Sequence, residues 1–173
     1  MKVILNSTQL ATTMDTLAGQ IIKSVSGEFC VIGVRSRGEI LAQRLVEKLD
    51  EMTGEEIPCG VLDITLYRDD LNSPQSDRQP LVRTTEIGFD IDDKVIILVD
   101  DILHTGRSTR AALDALIDLG RPRAIKLAVL VERPEREFPI QADFVGVRVT
   151  PEAGKNVEVN VVEIDGKDRV VIC

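Results

Sequence analysis

The sequence predicts an α/β fold, a twisted and mainly parallel sheet flanked by helices, and two observations carry that prediction. Phe29–Val34, Val95–Val99 and Ile125–Val131 are nearly continuous apolar runs rich in β-branched residues, as in strands covered on both faces. Around them lie segments with apolar residues at helical spacing, such as Leu41, Leu45 and Leu49. At 173 residues and 43% hydrophobic, the chain is long enough for one domain with a real core and short for two.

Lys2–Leu5 is a short apolar run able to add an edge strand. Asn6 or Ser7 can cap the helix that follows, whose buried stripe is Leu10, Met14, Leu17 and Ile21. The other side of this helix is mostly Thr, Gln and Ser, and Lys23 is the one cation between residues 7 and 26. Phe29–Val34 then ends in Arg35-Ser36-Arg37-Gly38. In a parallel sheet the loop after a strand lies at the ligand-binding edge, where two arginines and a glycine at a helix start suit an anion.

A helix is expected over Glu39–Glu51 and a strand over Val61–Leu66, the latter bracketed at its start by Pro58 and Gly60. Residues 68–80 are polar, contain proline and lack helical period, which predicts a mobile lid that Val82-Arg83 closes by returning to the sheet. Asp90, Asp92 and Asp93 make a solvated turn with no chemistry assigned.

Residues 95–120 form the centre of the chain. Val95–Val99 runs into Asp100 and Asp101, then His104-Thr105-Gly106-Arg107-Ser108, then a helix with the stripe Ala112, Leu113, Leu116, Ile117 and Leu119. Gly120 falls at the position after the helix and Pro122 prevents continuation. Free N–H groups at the helix start favour a phosphate, which the two carboxylates would repel. The ligand this predicts is anionic at one end and hydroxylic in the middle, as a sugar phosphate is. Neither G-x-x-x-x-G-K-[ST] nor a helix-opening G-x-G-x-x-G occurs, so the two common nucleotide motifs are excluded.

Downstream of Ile125–Val131, residues 132–150 show no clear period. Val157–Ile164 alternates as a half-exposed strand does, and Asp165-Gly166 reads as a hairpin turn to Arg169–Ile172.

Ile96–Ser108, I-I-L-V-D-D-I-L-H-T-G-R-S, resembles the phosphoribosyl-pyrophosphate (PRPP) motif of the type I phosphoribosyltransferases. With I-G-V-R-S-R-G-E, L-D-I-T-L-Y-R-D-D-L and R-E-F-P-I-Q-A-D-F-V-G in order along the chain, the whole resembles the bifunctional family of pyrimidine-operon regulators and uracil phosphoribosyltransferases. The resemblance implies the type I phosphoribosyltransferase fold with a small hood over residues 132–150, and transfer from PRPP to uracil, giving UMP and diphosphate. It makes Arg35, Ser36, Arg37 and Gly38 the pyrophosphate loop, and Arg68, Arg78 and, more weakly, Arg83 contacts from the lid. Asp100 and Asp101 hold the ribose, while His104, Thr105, Gly106, Arg107 and Ser108 hold the 5′-phosphate. Phe144 and Val145 meet the base, with core packing the competing role for Phe144 in a chain of only five aromatics. His104 departs from the aromatic residue often found there and is a candidate for moving a proton from uracil. Mg2+ is expected to arrive with PRPP, with no dedicated side-chain ligands other than a contact from Asp100. The implied assembly is a homodimer or higher homo-oligomer, and UMP-responsive binding to a pyrimidine-operon mRNA leader is the implied second function.

Charge bears on that second function. The net charge is −8, yet residues 50–101 hold 14 acids against 4 bases, leaving 15 against 17 elsewhere. The excess is thus −10 in one stretch and +2 in the remainder. No clustered basic face is evident, which predicts weak RNA binding with a shallow salt dependence. Lys23, Arg121, Arg123, Arg133, Arg136 and Lys155 are the scattered candidates. Cys30, Cys59 and Cys173 lack C-x-x-C spacing, and the first two read as buried thiols. No apolar run reaches transmembrane length and no leader pattern opens the chain, so a cytoplasmic location is expected.

Overall fold

The computed structural model describes residues 1–69 and 83–173. The chain begins β1 (Lys2–Leu5), α1 (Ser7–Ser24), β2 (Phe29–Val34), α2 (Arg37–Thr53) and β3 (Cys59–Leu62). After a 3-10 turn at Thr65–Tyr67 come β4 (Val95–Leu103), α3 (Arg107–Leu119), β5 (Ala124–Glu132) and β6 (Phe144–Arg148). The chain closes with β7 (Val157–Asn160), the helical turn α4 (Val162–Asp165) and β8 (Arg169–Ile172).

Five strands form a parallel sheet in the order β3-β2-β4-β5-β6. The chain leaves β2 through α2 toward one edge, and leaves β4 through α3 toward the other. The reversal between β2 and β4 opens a crevice at their carboxyl ends. The β4 run is apolar throughout because both faces are covered. Val95, Ile97 and Val99 join the core under α1 and α2, while Ile96 and Leu98 join Ala111, Ala112, Ala115 and Leu116 of α3. A Cβ on Gly33 would lie 2.5 Å from the Gly38 carbonyl oxygen and 2.7 Å from Ala42 Cβ, so only glycine lets α2 sit this close to β2.

The strand expected at Lys2–Leu5 exists, but it pairs antiparallel with β8 in a separate sheet of order β1-β8-β7. That small sheet lends Leu5, Val157, Val159 and Val170 to the core under α1 and α2. Asn6 caps α1 through a capping box with Gln9.

Several boundaries differ from the sequence reading for local physical reasons. β3 stops at Leu62 rather than Leu66, because the Asp63 carboxylate accepts from the Thr65 N–H at 3.1 Å and its hydroxyl at 2.6 Å, turning the backbone. β7 stops at Asn160, and a loop over 161–168 containing α4 replaces the two-residue turn. The unpatterned stretch 132–150, expected to be a hood, supplies β6 as a fifth strand beside β5. On α3 the buried stripe is Thr109, Ala111, Ala112, Ala115 and Leu116, while Ile117 and Leu119 are exposed; alanines face the sheet because they allow close approach. Gly120 is extended at φ 172°, not left-handed, and is required because a Cβ there would meet Asp92 Oδ1 at 2.6 Å. Cys30 is buried as expected, but Cys59 is exposed.

Candidate active site

A cleft of about 240 Å³ occupies the crevice between β2 and β4. It is lined by the Arg35-Ser36-Arg37 loop, the Asp63–Thr65 turn with Arg68, the Asp100–Ile102 strand end and Ser108. Residues as far apart in sequence as Val34 and Ser108 meet here because parallel strands deliver their following loops to one edge.

Arg35 and Arg37 are held by carboxylates the sequence reading did not connect to them. Arg35 donates to Glu39 (3.2 Å), Glu86 (2.9 Å) and the Thr84 carbonyl (2.9 Å). Arg37 makes a two-pronged pair with Asp165, Nε to Oδ2 at 3.2 Å and Nη2 to Oδ1 at 2.8 Å. Ser36 sits at the N-cap of α2 without a capping side-chain bond. Gly38 lies against the strand end: a Cβ there would be 2.7 Å from the Val99 carbonyl oxygen and 3.1 Å from Asp100 Cα.

Asp100 is 9% exposed and Asp101 half-buried at the end of β4. The Asp101 N–H donates to Asp100 Oδ1 at 2.9 Å, and the Ile102 N–H to Asp101 Oδ1 at 2.8 Å. Burial, reinforced by the Asp101 charge, raises Asp100 well above the usual carboxylate range. Burial also raises Asp101, against hydrogen bonds and the pull of Arg37. Two adjacent carboxyls that resist ionisation together are poised to accept hydroxyl hydrogen bonds or a cation, either of which relieves them. Among the described residues no cluster of three or more metal-ligating side chains exists.

The loop after β4 opens α3 through Gly106, which is left-handed at φ 90°. Its first-turn amides lie beneath a roof: the Thr105 carbonyl accepts from the Glu137 and Phe138 N–H groups at 2.9 and 3.1 Å, and Arg107 lies 5.2 Å from the Phe138 ring centre. Arg107 also pairs with Glu137 and Asp69, at 2.5 and 2.6 Å. Arg136 ties the roof to the loop by donating to the His104 carbonyl at 2.5 Å and to the Ile140 carbonyl at 3.0 Å. His104 reaches Glu135 at 3.4 Å.

Not every expected residue arrives. Phe144 is buried in the core under α1 and α2, paired with Ala128, so its ring packs the fold away from the cleft. Val145 is half-buried against the cluster under α3. The Arg83 side chain does not line the cleft; its N–H donates to Asp63 Oδ2 at 2.6 Å. Arg78 lies outside the described residues. The sequence reading missed Asp63, whose carboxylate accepts from Thr65 and Arg83 and whose N–H donates to Thr85 Oγ1 at 3.0 Å, linking the turn after β3 to residues 83–85. Burial raises its carboxyl, but the bonds from Thr65 and Arg83 outweigh that and hold it below the usual range. The only available signal was its position inside L-D-I-T-L-Y-R-D-D-L.

A switch-point cleft carrying an acidic strand end, a helix-opening loop and an arginine loop defines a type I phosphoribosyltransferase. Residues 2–165 match the family described as the phosphoribosyl transferase domain. Solved structures of similar fold include a hypoxanthine-guanine phosphoribosyltransferase from Bacillus anthracis (TM-score 0.72, 19% identity, all of this chain and 97% of that one). Another is a purine phosphoribosyltransferase from Pyrococcus horikoshii (TM-score 0.63, 25% identity, 85% of this chain and 90% of that one). More similar in sequence are proteins named bifunctional protein PyrR. That of Deinococcus radiodurans is 50% identical over 96% of this chain and 91% of its own length, and that of Pelotomaculum thermopropionicum 46% identical over 98% and 93%. The chain belongs to the bifunctional PyrR family of phosphoribosyltransferases.

No described helix is long and apolar enough to cross a membrane.

Proposed function

We propose that the chain transfers the 5-phosphoribosyl group of PRPP to uracil, releasing diphosphate and forming UMP. The observation that supports this best is the convergence of Arg37, Arg68, Asp100, Asp101 and Ser108 on one cleft. Cleavage at the anomeric carbon leaves positive charge on the ribose and adds negative charge to the departing diphosphate, so catalysis is mainly electrostatic and positional. In this reading the Asp100 and Asp101 carboxylates accept hydrogen bonds from the ribose hydroxyls. The amides of Thr105–Ser108 bind the 5′-phosphate at the start of α3. Ser36 and Gly38 present backbone N–H groups to the diphosphate, with Arg35, Arg37 and Arg68 supplying positive charge; Arg78 is assigned to the same end. His104 is the only imidazole in the chain and so the one available to move the proton uracil loses. The oxygen-only donors Asp100 and Asp101 fit Mg2+, which would neutralise diphosphate charge when bound with PRPP. The backbone of the 133–143 roof is assigned to the base.

Incubation with PRPP, Mg2+ and each nucleobase in turn tests the reading: nucleotide is expected from uracil, and product from a purine alone would overturn it.

Family membership supports a second function, UMP-responsive binding of a pyrimidine-operon mRNA leader by a homodimer or higher assembly. Charge limits its strength. Arg136 is engaged by the roof and Arg148 by Glu132 at 2.8 Å. A gel-shift titration at several salt concentrations should give weak binding with a log–log slope shallower than about −2, roughly three neutralised phosphates. Nanomolar, UMP-enhanced binding with a steep slope would make RNA regulation the primary function.

A further inference from the structure

We infer that Asp165, in the loop joining the two C-terminal strands, is a positioning residue that holds Arg37 at the diphosphate end of the cleft; this rests on the reading of Arg37 proposed above. The sequence gives Asp165 only a turn role, and the contact spans 128 residues.

The geometry is that of a built clamp. Asp165 Oδ2 accepts from the Val161 N–H at 2.9 Å, which fixes the carboxylate within its own loop before it meets Arg37. Arg37 then uses Nε and Nη2 on it, the planar two-bond arrangement that sets a guanidinium's orientation as well as its position. The pairing holds the Asp165 carboxyl below the usual range, as a permanently charged partner requires. Two helical turns further along α2, Arg44 grips the same loop through Glu163 (2.9 Å, Nε) and Asp168 (2.9 and 3.1 Å). The Arg44 grip lies away from the cleft lining, so the loop is anchored by one pair and aims an arginine with the other. A flexible arginine would lose side-chain entropy on meeting diphosphate; one already held loses less. The loop of the small sheet thereby acts on the site of the large one through the Asp165 side chain.

A double-mutant cycle on the full chain tests this, with inorganic pyrophosphate and Mg2+ as the probe and calorimetry as the readout. D165N should weaken pyrophosphate binding about tenfold, the equivalent of one charge-assisted hydrogen bond. In an R37A background the same substitution should change nothing, and D165E should restore part of the affinity. R44A should lower the melting temperature while leaving pyrophosphate affinity within about twofold of wild type. Unchanged or tighter binding by D165N overturns the inference, the latter making Asp165 a competitor of the ligand. An equal loss in the R37A background overturns it too, because the effect would then be a general loosening of the fold. If R37A alone binds pyrophosphate as wild type does, the reading of Arg37 fails and the inference with it.

Discussion

The loops after β2 and β4 leave neighbouring parallel strands at the same edge, yet they hold their charge in opposite ways. After β4 the chemistry is carried by the chain itself: two carboxyls on the strand end, followed at once by the left-handed Gly106 and the amides of α3. After β2 the charged groups are side chains that acids far along the chain help to hold, Glu86 joining the neighbouring Glu39 on Arg35 and Asp165 pairing with Arg37. A loop whose function lies in backbone and adjacent residues can be read from a short motif. One whose arginines are aimed by distant acids cannot.

The largest expected effect breaks the β4 side. Asp100→Asn with Asp101→Asn should abolish transfer, each lost charge-assisted hydrogen bond costing roughly 1.5–3 kcal/mol of ligand binding. Because burial opposes ionisation of both groups, the melting temperature should stay within a few degrees or rise. Retained transfer, or an unfolded protein, would overturn the assignment.

Next comes the contact where the two loops touch. Gly38→Ala places a Cβ against the Val99 carbonyl and must push α2 from β4. Urea denaturation should show a loss of about 1–3 kcal/mol, and PRPP affinity should fall with it because both loops shift.

The pH dependence of stability separates the loops without mutating either arginine. Asp100 and Asp101 have raised folded-state pKa values, so the folded form binds their protons more tightly than the unfolded chain does. Their contribution is present at low pH and lost as pH rises from the ordinary carboxylate value through the raised one. Asp63 and Asp165 are lowered, so theirs is present above the ordinary value and lost as pH falls through the depressed one. Melting temperatures of the protein without ligand should therefore decline on both sides of an optimum. The Asp100→Asn, Asp101→Asn variant should lose the decline that starts just above the ordinary carboxylate value and keep both the acid one and that of the buried Cys30 thiol, raised to about 11; an unchanged profile would contradict the raised carboxyl pKa values.

The smallest effect is at Glu86, whose side chain is 67% exposed against Arg35. Glu86→Gln should cost under about 1 kcal/mol of stability. If Arg35 is as dependent on its partner as Arg37 is inferred to be, pyrophosphate affinity should fall in the same variant; an unchanged affinity would confine the dependence to Arg37.

By itself the sequence determined the elements with strong local causes: the two-faced apolar run of β4, the capped and amphipathic α1, and the acid pair and helix-opening glycine of the central motif. These rest on periodicity, capping and the chemistry of adjacent residues, all short in range. Only the tertiary structure decided that Phe144 serves the core, that Lys2–Leu5 pairs with Arg169–Ile172, and that alanines rather than Ile117 and Leu119 face the sheet. Each depends on which surface lies opposite, a long-range fact with no local trace. The same holds for Asp63, read in sequence as a strand residue, and Asp165, read as a turn residue, which become clamps because folding brings Arg83 and Arg37 within hydrogen-bond distance of their carboxylates.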